Sequence, residues 1–185
     1  KDKLFFFASA EYKYDTYPSE YYPGASTGYI SQAEAKAIAD RYNSITGNSE
    51  GYGKKDVNSK GLSLMGRLDW NINKNNKLSF RYQLNDSYKD VYGAGSTTYI
   101  FANSGYRMIN KTNSLVAELN THINNSLYNE ARVGATYVRD NRDVSYQGPN
   151  ITIETLGGTY DATSNSWSTG KTTAYIGTEY SSGAN

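Results

Sequence analysis

The sequence predicts an all-β fold in which antiparallel, up-and-down strands form part of a large transmembrane β-barrel, with long extracellular loops and one short loop helix. Three observations lead there. Apolar and polar residues alternate over five segments, several of them longer than ordinary globular strands. The connections between these segments run long, short, long, short, long, as in barrels with external loops and short periplasmic turns. The composition is polar overall, with 37% hydrophobic residues and a mean hydropathy of −0.72, yet it includes 19 Tyr and 17 Gly and only 3 Pro. Disordered chains are poor in aromatics, whereas a barrel with a wet interior combines polarity with Tyr.

The first strand covers about 4–14. Leu4, Phe6, Ala8, Ala10, Tyr12 and Tyr14 share one face, and Ser9, Glu11 and Lys13 share the other. Phe5 and Phe7 break that polar face near the strand end, where an aromatic girdle or a packed plug would cover them. A long loop at 15–60 follows, with turns marked by Pro18, Pro23, Gly24 and Gly28. Inside it, Ser31 and Glu34 have the spacing of a capping box, which predicts a helix running to Tyr42 or Ile45 and stopping at Gly47. The bland role for this helix is to rest on the barrel rim; the sharper one is a lid that grips a ligand.

Strands at 62–72 and 77–85 form the clearest hairpin. Leu62, Leu64, Gly66, Leu68, Trp70 and Ile72 on one arm, and Leu78, Phe80, Tyr82 and Leu84 on the other, make an oily face around an Asn-rich turn. A three-residue loop, Lys74-Asn75-Asn76, sets Asp69 opposite Arg81, Leu68 opposite Tyr82 and Trp70 opposite Phe80. It also avoids placing Arg67 opposite Arg81, since like charges directly opposed are unfavourable. After a loop at 86–110 come strands at 114–123 and 127–139. The same rule applied to Asn124-Asn125-Ser126 sets Glu118 opposite Arg132 and Leu119 opposite Ala131. Residues 140–185 read as a last polar loop, so 1–185 is a single barrel segment.

The net charge of +1 and the absence of a basic run point away from nucleic acid. With no Cys, disulfides and thiolate metal sites are excluded. No apolar run is long enough for a transmembrane helix. Gly93 to Thr97 are a partial glycine-rich pattern without the Lys-Ser/Thr pair or helix that phosphate cradling needs. Asp140, Asn141 and Asp143 lack the spacing and glycine of a calcium loop. His122, the single histidine, has no visible catalytic partner. The sequence therefore predicts no enzyme, no catalytic or metal residues and no cofactor. The candidate functional residues are lumen-facing ones: Arg67, Asp69, Arg81, Glu118, His122, Glu130 and Arg132, read as a wall lattice or plug contacts before substrate ligands.

Several stretches resemble the TonB-dependent outer-membrane receptors of the Oar-like and SusC-like kind, common in Bacteroidota. They are Lys1-Asp2-Lys3-Leu4-Phe5-Phe6-Phe7, Gly66-Arg67-Leu68-Asp69-Trp70-Asn71-Ile72, Asn129-Glu130-Ala131-Arg132-Val133-Gly134 and the segment Ile176 to Asn185. The resemblance implies a 22-stranded barrel with an N-terminal plug in the Gram-negative outer membrane. It would import a bulky nutrient (glycan, peptide or chelate) with energy supplied through the TonB complex. The implied partners are membrane lipid and lipopolysaccharide, TonB through the plug, a surface lipoprotein and a substrate that the sequence does not identify. Five strands cannot close a barrel, so the expectation is an internal fragment of a larger protein. The competing class is a non-transporting surface adhesin or a soluble all-β glycan-binding module.

Overall fold

The computed structural model describes residues 3–26, 30–144, 147–156, 160–167, 172–178 and 183–184. Its strands are β1 (Leu4–Pro18), β2 (Asp56–Asn71), β3 (Asn76–Val91), β4 (Thr98–Ile100), β5 (Tyr106–Asn124), β6 (Leu127–Asp143), β7 (Ile151–Leu156), β8 (Tyr160–Asp161), β9 (Ser166–Trp167), β10 (Thr172–Ile176) and β11 (Gly183–Ala184). The helix α1 covers Gln32–Thr46. The protein is all-β in class. One antiparallel sheet runs β1-β2-β3-β5-β6-β11, a three-stranded sheet runs β4-β10-β7, and β8 pairs with β9.

The five long strands hold 15 to 19 residues each, well beyond the expected limits. The loops read at 15–60, 86–110 and 140–185 lose their ends to the sheet, because polar residues there still pair. Asp86 to Val91, for example, runs opposite Lys111 to Tyr106. These extensions carry mixed polar residues on both faces, so no alternation marks them in the sequence.

Register aligns the oily faces of all five strands. Leu4, Trp70, Leu78, Leu119 and Ala131 form one row across the sheet, and Phe6, Leu68, Phe80, Ala117 and Val133 form the next. The ten steps from Leu62 to Ile72 cover about 33 Å, or about 25 Å of height at a barrel strand's tilt. Polar groups bound this band at the long-loop end. There, in the row Tyr12–Leu62–Asp86–Lys111–Arg139, Lys111 pairs with Asp86 at 3.7 Å.

The first hairpin corrects the expected register. Arg67 lies opposite Arg81, Leu68 opposite Phe80 and Trp70 opposite Leu78. The loop has the expected three residues but starts one earlier, at Asn73, and the Ile72 amide donates to the Asn76 carbonyl at 3.0 Å. The cause is the Asn73 side chain, whose Oδ1 accepts from the Asn75 amide (2.9 Å), the Asn76 amide (2.9 Å) and Asn76 Nδ2 (3.0 Å). Each such bond contributes about 0.5–1.5 kcal/mol, against a few tenths, roughly, for like charges opposed in water. The turn wins.

The second hairpin pairs Glu118 with Arg132 and Leu119 with Ala131, as expected. Its turn is tighter than expected. Asn124 pairs with Leu127, the register shifts between His122 and Asn124, and the Ser126 amide donates to Asn124 Oδ1 at 2.9 Å.

The core lies elsewhere. α1 begins at the expected capping box, with Ser31 Oγ accepting from the Glu34 amide, and ends at Gly47, whose left-handed φ of 75° suits glycine. Its buried face, Ala35, Ala39 and Tyr42, packs with Ile30, Tyr99, Phe101, Ala174 and Ile176. These residues come from three different long connections, which fold together into a cap beyond the long-loop end of the sheet.

Candidate functional site

Odd-numbered residues of β2 and β3 and even-numbered residues of β5 and β6 face away from the oily side. Along one row, Asp69, Ser79, Glu118 and Arg132 are successive neighbours; along the next stand Arg67, Arg81, Val116 and Gly134. Arg67 turns along its own strand to grip Asp69 with two bonds, Nε to Oδ2 at 2.9 Å and Nη2 to Oδ1 at 3.0 Å. Lys77 adds a longer contact to Asp69 at 3.9 Å. Arg132 pairs with Glu118 at 2.7 Å and Glu130 at 2.9 Å, and Asn120 donates to Glu118 at 2.8 Å. Six of the seven expected residues thus share one patch. It surrounds a cavity of about 300 Å³ lined by Arg67, Ser79, Arg81, Val116, Glu118 and Arg132.

His122 stands apart from this patch. Its ring tilts against Tyr128 at 5.1 Å between centroids, and its amide donates to the Asn75 carbonyl at 2.8 Å, tying the two short turns together. Phe5 and Phe7 sit on the polar face opposite Asp69 and Arg67, each about half exposed. Asp140 and Asp143 fall on opposite faces of β6, opposite Asn110 and Arg107, so they do not converge on one ion.

The cap holds a polar centre that sequence reasoning missed. The Glu50 carboxylate accepts from the amides of Asn103 (3.1 Å) and Gly177 (3.0 Å), joining all three long connections. Burial pushes the Glu50 carboxyl up, and those two amides together with Lys55 only partly offset it. Burial drives the Lys55 ammonium down to about 8, against a smaller opposing pull from Glu50. Lys55 donates to the Ile100 carbonyl and lies 4.8 Å from the Tyr92 ring centre. Tyr99, pushed up to about 12 by burial, accepts from the Gly53 amide. Gly177 is required on two counts: its φ is 87°, and a Cβ there would stand 1.8 Å from the Pro149 carbonyl oxygen. No local motif announces these contacts, since the hydrogen-bonded partners are 45 or more residues apart.

A second ionic centre ties the long-loop end of the sheet. Asp90, buried, accepts from Arg107 Nε at 2.8 Å and from the Asn58 amide and side chain at 3.2 Å. Burial pushes its carboxyl up, but Arg107 and Asn58 outweigh that and hold it below the usual range.

The geometry defines a two-faced sheet wall, oily on one side and charged on the other, crowned by a folded cap. Comparison with family models, curated proteins and solved structures finds no match for the chain.

Proposed function

We propose that this chain is a wall segment of an outer-membrane β-barrel of the TonB-dependent receptor type, which admits a bulky solute beneath its cap. The continuous oily face carries this reading. Phe6 is 86% exposed and Val133 71% exposed, and a soluble module would leave both in water. Lipid is the solvent in which a face of this area is stable. On this reading the charged face lines the lumen, and the layer knit from the three connections covers the outer mouth. Specificity for a glycan, peptide or chelate resides in that layer and in the groups opposite the wall.

Orientation tests the reading. Cysteines at Ser49, Ser96 and Asn75, all exposed, are treated on intact cells with an impermeant maleimide. Labelling at 49 and 96 but not 75 is the expected result. Labelling at 75 alone inverts the topology, and labelling at all three removes the membrane from the picture.

A further inference from the structure

We propose that the cavity beside Arg81 is an oxyanion site, taking a carboxylate or phosphate group between Arg67, Arg81 and Arg132. The starting point is the register. The Asn73 turn sets two arginines directly opposite each other, and cross-strand neighbours of like sign repel. The surrounding carboxylates offset the charges of Arg67 and Arg132 but leave Arg81 without one of its own. Asp69 is taken by both bonds of the Arg67 fork, and Glu118 and Glu130 are taken by Arg132. Arg81 is left with no side-chain hydrogen bond or ion pair among the described residues. The lining of the cavity, a space of about 300 Å³, carries three guanidiniums, and of these Arg81 alone has no carboxylate bonded to it among the described residues.

Two of the three guanidiniums are held in place by their carboxylates, so little freedom remains to be lost on binding. A guanidinium offers parallel N–H donors that match two oxygens of one oxyanion. An oxyanion at Arg81 would convert the repulsive pair into a shared clamp, with Ser79 supplying a hydroxyl donor at the rim. The site depends on the register of β2 on β3 and not on the surrounding solvent, so it stands or falls separately from the membrane reading. The oxyanion has two possible sources, a dissolved anion or a carboxylate carried by the protein itself.

The test compares wild type, Arg81→Gln and Arg81→Lys in the full protein in detergent micelles. Thermal midpoints are read against inorganic phosphate, with chloride at matched ionic strength as the blank. A saturable rise in the wild-type midpoint, abolished in Arg81→Gln and weakened severalfold in Arg81→Lys, assigns the site to a dissolved anion. A wild type indifferent to phosphate, with a midpoint lowered by Arg81→Gln and less so by Arg81→Lys, assigns it to a protein carboxylate. An empty site predicts the opposite sign, because removing Arg81 relieves repulsion. An unchanged or raised midpoint in Arg81→Gln without a wild-type phosphate response therefore overturns the proposal, as does an equal phosphate response in all three proteins. If Arg81→Gln does not fold, the comparison of wild type with Arg81→Lys decides, since a fork and a point charge differ in phosphate response only where phosphate is clamped.

Discussion

The cap and the sheet treat apolar side chains in opposite ways. The cap buries Tyr42, Phe101 and Ile176 almost completely among residues drawn from three connections, as a small water-soluble domain does. Among the described residues, the five long strands of the sheet, more than 80 residues in all, contribute only Val57 to the buried apolar set and display Phe6, Leu115 and Val133. Both regions are ordered, but by different means. The cap is held by packing and by Glu50; the sheet by ladder hydrogen bonds and turn chemistry. The contrast teaches that one chain buries its apolar side chains in one region and displays them in the other, with the change falling near the Asp86–Lys111 pair.

The largest expected effect lies in the cap. Phe101→Ala should cost about 3–5 kcal/mol of cap stability, read as faster amide exchange along α1. Phe80→Ala, on the open face of the sheet, should leave α1 exchange unchanged. Equal effects from both would erase the distinction between a packed core and a displayed face.

Next comes the oily face itself. Leu68→Arg should cost about 2–4 kcal/mol in a lipid refolding titration, and Gln83→Arg far less. Equal tolerance of arginine at both positions would count against lipid as the solvent for that face.

A smaller effect separates the cap by pH. Lys55 falls to about 8 in the folded cap from its usual 10.5, so its contribution is absent below pH 8 and returns as pH rises toward 10.5. Glu50 has the opposite slope: its raised carboxyl favours the cap in acid, and that contribution is lost as pH rises above the usual carboxyl range. Cap opening followed by amide exchange should become harder by about 1–2 kcal/mol between pH 8 and 10.5, after discounting for partial exposure of Lys55. Lys55→Met should flatten that rise, and Glu50→Gln should flatten the acid-side slope. Apolar sheet positions should show neither slope.

The smallest effect concerns register. Cysteines at Leu68 and Phe80 should cross-link, and cysteines at Leu68 and Tyr82 should not. Adding Asn73→Ala removes three hydrogen bonds at the turn and should let the second pair form in part.

What could be read from the sequence follows the same division. Alternation exposed the central part of each long strand, because one face there is kept apolar while the other is mostly polar. Ser31, Glu34 and Gly47 gave away α1 because capping is local chemistry. Glu118 opposite Arg132 was legible, whereas Arg81 opposite Arg67 was not, since the expected Arg81–Asp69 pairing rested on a charge argument worth roughly tenths of a kcal/mol, set against a turn worth more. The pairings of β4, β7 and β10 were invisible. They are only three to six residues long, and their partners lie across long stretches of chain. Glu50 and Gly177 acquire their roles only once those pairings exist.

The most direct measurement places spin labels one at a time at 64 through 70 of β2, in the full protein reconstituted into lipid bilayers. Collision with dissolved oxygen and with a polar nickel chelate is then recorded at each position. Positions 64, 66, 68 and 70 should favour oxygen, and 65, 67 and 69 should favour the chelate, alternating without a break. Chelate accessibility at all seven positions would contradict the assignment of the oily face to lipid.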